Sequence, residues 1–237
     1  MEILKNTGRF ESRDTKLNFL AKNDNIYVMD NHLAAFWCWF KDLDPLSTYT
    51  LLHIDRHHDL SEVFVKKGFH FYKTSDFSKM DVDEIIALKI DDYQLLRWDN
   101  YIELYNAFNP LTIKYFDFVT PQTLPRKYKG YGYSDLKDWI KTIPVSEQVE
   151  HLPNHDVNRI INLDIDVFFI EKGSAHKRIL NKSQIIKFAE RLKPLIERSP
   201  LITICLSPEC CGGWENSINM FYDVSKQLNV NFGTLPL

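Results

Sequence analysis

YTLLHIDRHHDL, residues 49–60, joins a largely apolar run to a cluster of histidines and aspartates, and its reading decides the fold. A short run of this kind marks a strand buried on both faces, as in parallel sheets covered by helices. Similar runs recur at IYVMD (26–30), IKYFDFV (113–119), RIINLDID (159–166) and LITICLS (201–207). Helical patterns lie between them: HLAAFWCWFKDL at 32–43, KSQIIKFAERLKPLIERS at 182–199 and GWENSINMFYDVSKQL at 213–228. The alternation predicts an α/β fold in which a mostly parallel central sheet carries helices on both faces. No repeat or linker interrupts the pattern, so residues 1–237 read as one domain. The stretch 120–156 is richer in Pro, Gly, Lys and Tyr than its flanks and reads as an excursion from the sheet, with KYKGYGY (127–133) a candidate grip for an extended chain.

Composition narrows the function classes. A formal charge of -3 argues against a nucleic-acid partner held by bulk charge. No apolar run approaches the ~20 residues needed to span a bilayer, and the first residues lack the layout of a signal peptide, so a soluble cytoplasmic protein is expected. The four cysteines, Cys38, Cys205, Cys210 and Cys211, form no paired knuckles and read as reduced thiols. Cys205 sits in an apolar run, whereas Cys210 and Cys211 follow a Ser-Pro-Glu turn and could approach a site.

Within HIDRHHDL, Asp55, His57 and Asp59 are spaced by one residue, so an extended chain would aim Asp55 and His57 at one ion and then turn to present Asp59. Asp164 and Asp166 repeat the spacing at the end of another apolar run. Desolvating such acids costs several kcal/mol each unless they are paired, hydrogen-bonded or metal-bound, so a purely structural role needs an arginine or lysine beside them. His32 follows a third strand at its carboxyl end, where sites of open α/β sheets collect. His53 alternates in phase with Asp55 and is a candidate to support the ligands from behind; His58 points away and reads as structural. The set His32, Asp55, His57, Asp59, Asp164 and Asp166 is rich in oxygen, which favours Mn²⁺ over a structural zinc site, and it exceeds the needs of one ion, which points to two per chain.

These motifs resemble the ureohydrolases, the arginases and agmatinases, which share an α/β/α three-layer fold with the metal-dependent deacetylases. The likeness rests on DNH (His32), D-x-H-x-D (Asp55, His57, Asp59), D-x-D (Asp164, Asp166) and SPE (Glu209), in that chain order. It implies that Asp55 and Asp164 bridge two metals, that His32 and Asp59 complete one position, and that His57 and Asp166 complete the other. The set DNHLAAFWCW, HIDRHHDL, NLDIDVF and SPECCGGW is similar to a divergent branch containing the peptide arginases of ribosomal-peptide maturation, which convert arginine side chains of a precursor peptide to ornithine and urea. On that likeness Glu209 would hold the guanidinium, Asp59 would relay a proton, and His70 is the best-placed proton shuttle. The sequence departs from the family in reading DIDVFFI where D-x-D-x-x-D-P is usual and YVMDN in place of a glycine-rich stretch.

Two other readings compete. A deacetylase-like amidohydrolase with a single Zn²⁺ would need only an Asp-His-Asp triad and would have no use for His32 and Asp59 together. A metal-stabilised peptide-binding protein without turnover would use the aromatic helix HLAAFWCWF as its surface, although aromatic residues at helical spacing usually face a core.

Overall fold

The computed structural model describes residues 1–128, 132–133, 136–141, 158–173, 175–230 and 232–237, with backbone alone at 132, 133 and 141. In chain order the strands are β1 (Glu2–Asn6), β2 (Phe19–Asn23), β3 (Ile26–Met29), β4 (Tyr49–Ile54), β5 (Lys89–Ile90), β6 (Tyr93–Gln94), β7 (Ile113–Val119), β8 (Gly132–Tyr133), β9 (Arg159–Asp164), β10 (Phe169–Lys172), β11 (Ala175–Arg178) and β12 (Ile202–Cys205). The helices are α1 (Ala34–Asp42), α2 (Val65–Tyr72), α3 (Val82–Ile86), α4 (Tyr101–Phe108), α5 (Leu136–Lys141), α6 (Lys182–Ile196), α7 (Pro208–Cys211) and α8 (Trp214–Leu228).

Eight strands form one sheet in the order β1-β2-β3-β12-β9-β4-β7-β8. From β3 to β8 every neighbouring pair is parallel. At one edge β1 and β2 run antiparallel, an edge the apolar runs alone did not announce.

Alternation within the strands sorts side chains between the two faces. Tyr27 and Met29 of β3, with Tyr49 and Leu51 of β4, enter one apolar cluster with Phe36, Trp39, Tyr101 and Tyr105 of α1 and α4. Ile26 and Val28, with Leu52 and Ile54, enter a second cluster with Phe188, Leu192, Phe221 and Val224 of α6 and α8. Helices therefore cover both faces, which is why β3, β4 and β12 are buried along their whole length.

Several expected boundaries shift for identifiable reasons. The helix expected over 182–199 is α6, ending at Ile196: Pro194 cannot donate its main-chain hydrogen bond, and the helix stops two residues later. Its start is fixed by a capping box in which Asn181 and Gln184 each accept the other's backbone N–H. The helix expected from His32 begins at Ala34. The strand expected to run to Asp166 ends at Asp164, and Ile165–Phe168 form a 3-10 turn. Of the expected 120–156 excursion, 129–131, 134–135 and 142–156 lie outside the described residues, as does part of the Tyr-rich stretch.

After β4 the chain moves outward to β7 and β8, then returns to place β9 on the other side of β4. The crevice opened by this reversal lies at the carboxyl ends of β4 and β9, and such switch points are where side chains after parallel strands converge. Among the described residues no helix is long and apolar enough to cross a membrane.

Candidate metal centre

Four adjacent strands supply the site. His32 follows β3, Ser207 to Cys210 follow β12, Asp164 ends β9, and Asp55 to Asp59 follow β4. The local backbone is turned rather than extended. Asp55 Oδ1 accepts from His57 N at 2.6 Å, and Asp164 Oδ1 accepts from Asp166 N at 2.8 Å, the self-bonding that short aspartate side chains use to close turns. Asp59 then takes φ 54°, a left-handed conformation that aspartate tolerates better than most residues. Turns, and not the strand alternation expected from the spacing, aim these side chains inward.

The six expected ligands do converge. His32 Nδ1 lies 3.1 Å from Asp55 Oδ2, 3.3 Å from Asp59 Oδ2 and 3.3 Å from Asp164 Oδ2. His57 Nδ1 lies 3.0 Å from Asp166 Oδ2 and 3.6 Å from Asp55 Oδ1. All four aspartates and His32 are buried. Among the described residues no lysine or arginine side chain comes within ion-pair distance of these acids, and the only ionisable bases beside them are histidines.

The electrostatics show the cost of this arrangement. Burial, and then the neighbouring Asp55, raises the Asp59 carboxyl to about 7. Burial and Asp166 push Asp164 well above its usual range, and burial and Asp55 raise Asp166. Asp55 goes the other way: burial opposes it, but the imidazoles of His32 and His57 beside it hold its carboxyl below the usual range. His57 rises to about 11 despite burial, because Asp166 and Asp55 flank it.

A divalent cation fits the donors present. His32 Nδ1 and Nε2, Asp55 Oδ2, both oxygens of Asp59 and Asp166 Oδ2 are buried without a hydrogen-bond partner, which is rare for a polar group unless something else satisfies it. Donor atoms of His32, Asp55 and Asp59 lie within 4.8 Å of one another, as do those of Asp55, Asp164 and Asp166, those of His32, Asp164 and Cys205, and those of His57, Asp166 and Cys210. These buried His and Asp clusters could hold a metal ion.

Behind the ligands runs a polar network on the same sheet face. Thr203 Oγ1 donates to Asn162 Oδ1 at 2.5 Å. Asn162 Nδ2 donates to Tyr101 Oη at 2.5 Å and faces His53 Nδ1 at 3.0 Å. His53 Nε2 faces the His57 carbonyl at 3.1 Å, so one neutral tautomer accepts from Asn162 and donates to His57. Burial lowers the His53 pKa to about 4, keeping the ring neutral. His53 therefore supports the ligand loop from behind, while His58 Nδ1 accepts from Leu60 N at 3.0 Å and closes a turn.

The remaining expected residues divide. Glu209 is exposed at the rim of a cavity of about 210 Å³ that His32, His57, Asp164 and Asp166 help to line; its Oε1 accepts from Ser12 N at 2.5 Å. His70 does not join them. It is exposed on α2, against Phe71, and is not among the residues lining that cavity. Its place five residues into an amphipathic helix turns it outward, and the structure gives its expected shuttle role no support.

Sequence reasoning missed the wall beside Glu209, where Arg13 and Asp14 line the cavity. A strap formed by residues 11–16 crosses the cavity mouth. Ser12 Oγ donates to Asp30 Oδ2 at 2.5 Å, Asn31 Nδ2 to the Arg13 carbonyl at 2.8 Å, and Trp98 Nε1 to Asp14 Oδ1 at 3.1 Å. Trp98 also packs edge-on against His57, with ring centroids 5.2 Å apart. Ser207 was missed as well: it donates to Asp164 Oδ2 at 2.5 Å from a strained backbone at φ 40°. All four cysteines are free thiols.

Compared with known proteins, the chain matches no protein-family model and no curated sequence.

Proposed function

We propose that this protein is a metal-dependent hydrolase of guanidinium groups, with the arginase-like form of the three-layer α/β/α fold and a peptide arginase activity on arginine side chains of a ribosomally made precursor peptide. The observation that carries the reading is the convergence of four buried aspartates and two histidines at adjacent strand ends, with unpartnered oxygens and nitrogens facing one another. His32, Asp55, Asp164 and Asp166 each belong to two of the donor groups, so neighbouring ion positions would share donors. The presence of both His32 and Asp59 in the cluster favours two ions over a one-ion deacetylase-like centre. The excess of oxygen donors suits Mn²⁺.

When bound, the ions would supply a water of lowered pKa and stabilise charge developing at the guanidinium carbon. The chain's own residues would do the rest. Glu209 would hold the guanidinium through the oxygen not taken by Ser12, since a planar cation pairs well with a carboxylate. The cavity, about 210 Å³ and walled in part by Arg13 and Asp14 of the strap, would admit one side chain while the rest of the peptide stays outside. Asp59, with both oxygens unpartnered, would accept the water proton and return it to the leaving Nε of the substrate. The water oxygen bonds to the guanidinium carbon, the carbon–Nε bond breaks, and urea leaves an ornithine side chain behind.

The test is mass spectrometry of arginine-containing peptides and of free arginine after incubation with the Mn²⁺-loaded protein. Loss of CH₂N₂ from peptides alone establishes the proposed activity, and Glu209→Gln should reduce kcat/KM by about 100-fold, or roughly 2.7 kcal/mol, without loss of metal. Conversion of free arginine would make it an ordinary ureohydrolase. No change in either substrate by a metal-loaded protein would sink the guanidine chemistry.

A further inference from the structure

We infer that Cys210 is a metal ligand, so that the two ion positions differ in kind: the one framed by His32, Asp55 and Asp59 takes a hard ion, and the one framed by His57, Asp166 and Cys210 takes a thiophilic divalent ion such as Zn²⁺. The inference rests on reading the acid cluster as a metal centre, and it holds whatever the substrate.

Three observations carry it. Donor atoms of His57, Asp166 and Cys210 lie within 4.8 Å of one another. Asp166 Oδ2, in a side chain only 1% exposed, is buried with no hydrogen-bond partner and lies 3.0 Å from His57 Nδ1, so an unsatisfied carboxylate oxygen and an imidazole share the corner that the thiol reaches. The main chain on both sides of Cys210 is fixed. Ser207 turns the chain at φ 40° and is tied to Asp164, and Gly212 ends α7 at φ 81°. A Cβ at Gly212 would meet the ring and Cβ of His176 at 3.0 Å, so the β10–β11 hairpin presses this turn into place.

The neighbouring thiols are engaged differently, although Cys205 too lies within 4.8 Å of donor atoms of His32 and Asp164. Cys211 Sγ donates to the Leu206 carbonyl at 3.4 Å and belongs to the apolar cluster under α8. Cys205 Sγ shares a hydrogen bond with Ser207 Oγ at 3.1 Å. Cys210 is half-buried, lines the cavity and is within reach of two other donors.

A soft thiolate shifts preference from Mn²⁺ toward Zn²⁺ and Co²⁺. Ligation replaces the Sγ–H bond by an Sγ–metal bond and releases the proton to solvent, with no change of oxidation state.

The test is Co²⁺ titration of the metal-stripped protein. Wild type should show visible d–d absorption together with a near-ultraviolet thiolate-to-cobalt charge-transfer band. Cys210→Ser, checked for folding by circular dichroism, should keep the d–d bands and lose the charge-transfer band, and its preference for Zn²⁺ over Mn²⁺ at one position should fall at least about tenfold. Cys211→Ser should keep both bands. Bound cobalt without charge transfer in wild type, or charge transfer surviving in Cys210→Ser, overturns the role of Cys210 and leaves the metal centre standing. Absence of bound cobalt overturns both.

Discussion

The two halves of the acid cluster meet solvent differently. On one side His32, Asp55 and Asp59 are 2%, 1% and 2% exposed and continue into the polar network of His53, Asn162, Tyr101 and Thr203. On the other, the His57 side chain is 24% exposed, lies against Trp98, and shares the cavity wall with Cys210 and Glu209. The closed half is built into the sheet and its aromatic cluster, so its geometry is held by the core. The open half is held by turns and by a strap, and it is the half a substrate can reach.

Asp164 joins them, and its loss should have the largest effect. It stands with His32 on the closed side and with Asp55 and Asp166 across the crevice. Asp164→Asn should empty both positions in elemental analysis and abolish turnover. The metal-stripped variant should be no less stable than metal-stripped wild type in denaturant, because burial beside Asp166 and Asp55 already disfavours a charge there. Retention of a full metal complement would show that the halves bind independently.

How much of this the sequence carried depends on what each residue needs. Asp55, Asp59, Asp164 and Asp166 were legible because a carboxylate at the end of an apolar strand is costly without a partner, and that cost is visible in residue types alone. The parallel core was legible for a similar reason: strands covered on both faces must be apolar throughout. The strap was not, because it is tied to the site partly through main-chain groups, the Arg13 carbonyl that accepts from Asn31 and the Ser12 N–H that donates to Glu209, which carry no residue signature. The β1–β2 edge was hidden because EILKN and FLAKN are short and mixed in polarity. His70 misled because distance along the chain from a motif does not say which way the intervening helix turns. Cys210 was flagged only as a thiol that could approach a site, since the left-handed turn at Ser207 that aims it has no glycine to announce it.

Acid should separate the halves through His53. Its folded pKa of about 4 lies below the ordinary histidine value of 6.5, so between those values the unfolded chain binds the extra proton. The contribution of His53 to stability therefore falls as pH drops from about 6.5 to about 4, while Asp59, raised to about 7, contributes in the opposite sense over the same window. The full difference for His53 is on the order of 3 kcal/mol. Burial is the largest cause; Asp55 at 3.6 Å and the His57 carbonyl attract the proton, while His32 and His58 repel it. Denaturation of chelated protein across this window should show His53→Gln losing less stability toward acid than wild type. An unchanged pH dependence would mean that His53 does not contribute to it.

The smallest effect sharpens the comparison most, because it asks the same question of two ligands. In chelated protein, His32→Ala should cost about 2 kcal/mol, since it removes a fully buried ring from the Tyr101 side of the core, 5.3 Å from that tyrosine by ring centroid, and leaves three carboxylates facing one another. His57→Ala should cost less than about 1 kcal/mol, because its ring is partly solvated and its loop is still tied by the Asp55 turn and by His53. Both variants should lose metal affinity. Equal destabilisation by the two would mean that the core does not hold one half more firmly than the other, and the contrast drawn from burial would have to rest on solvent access alone.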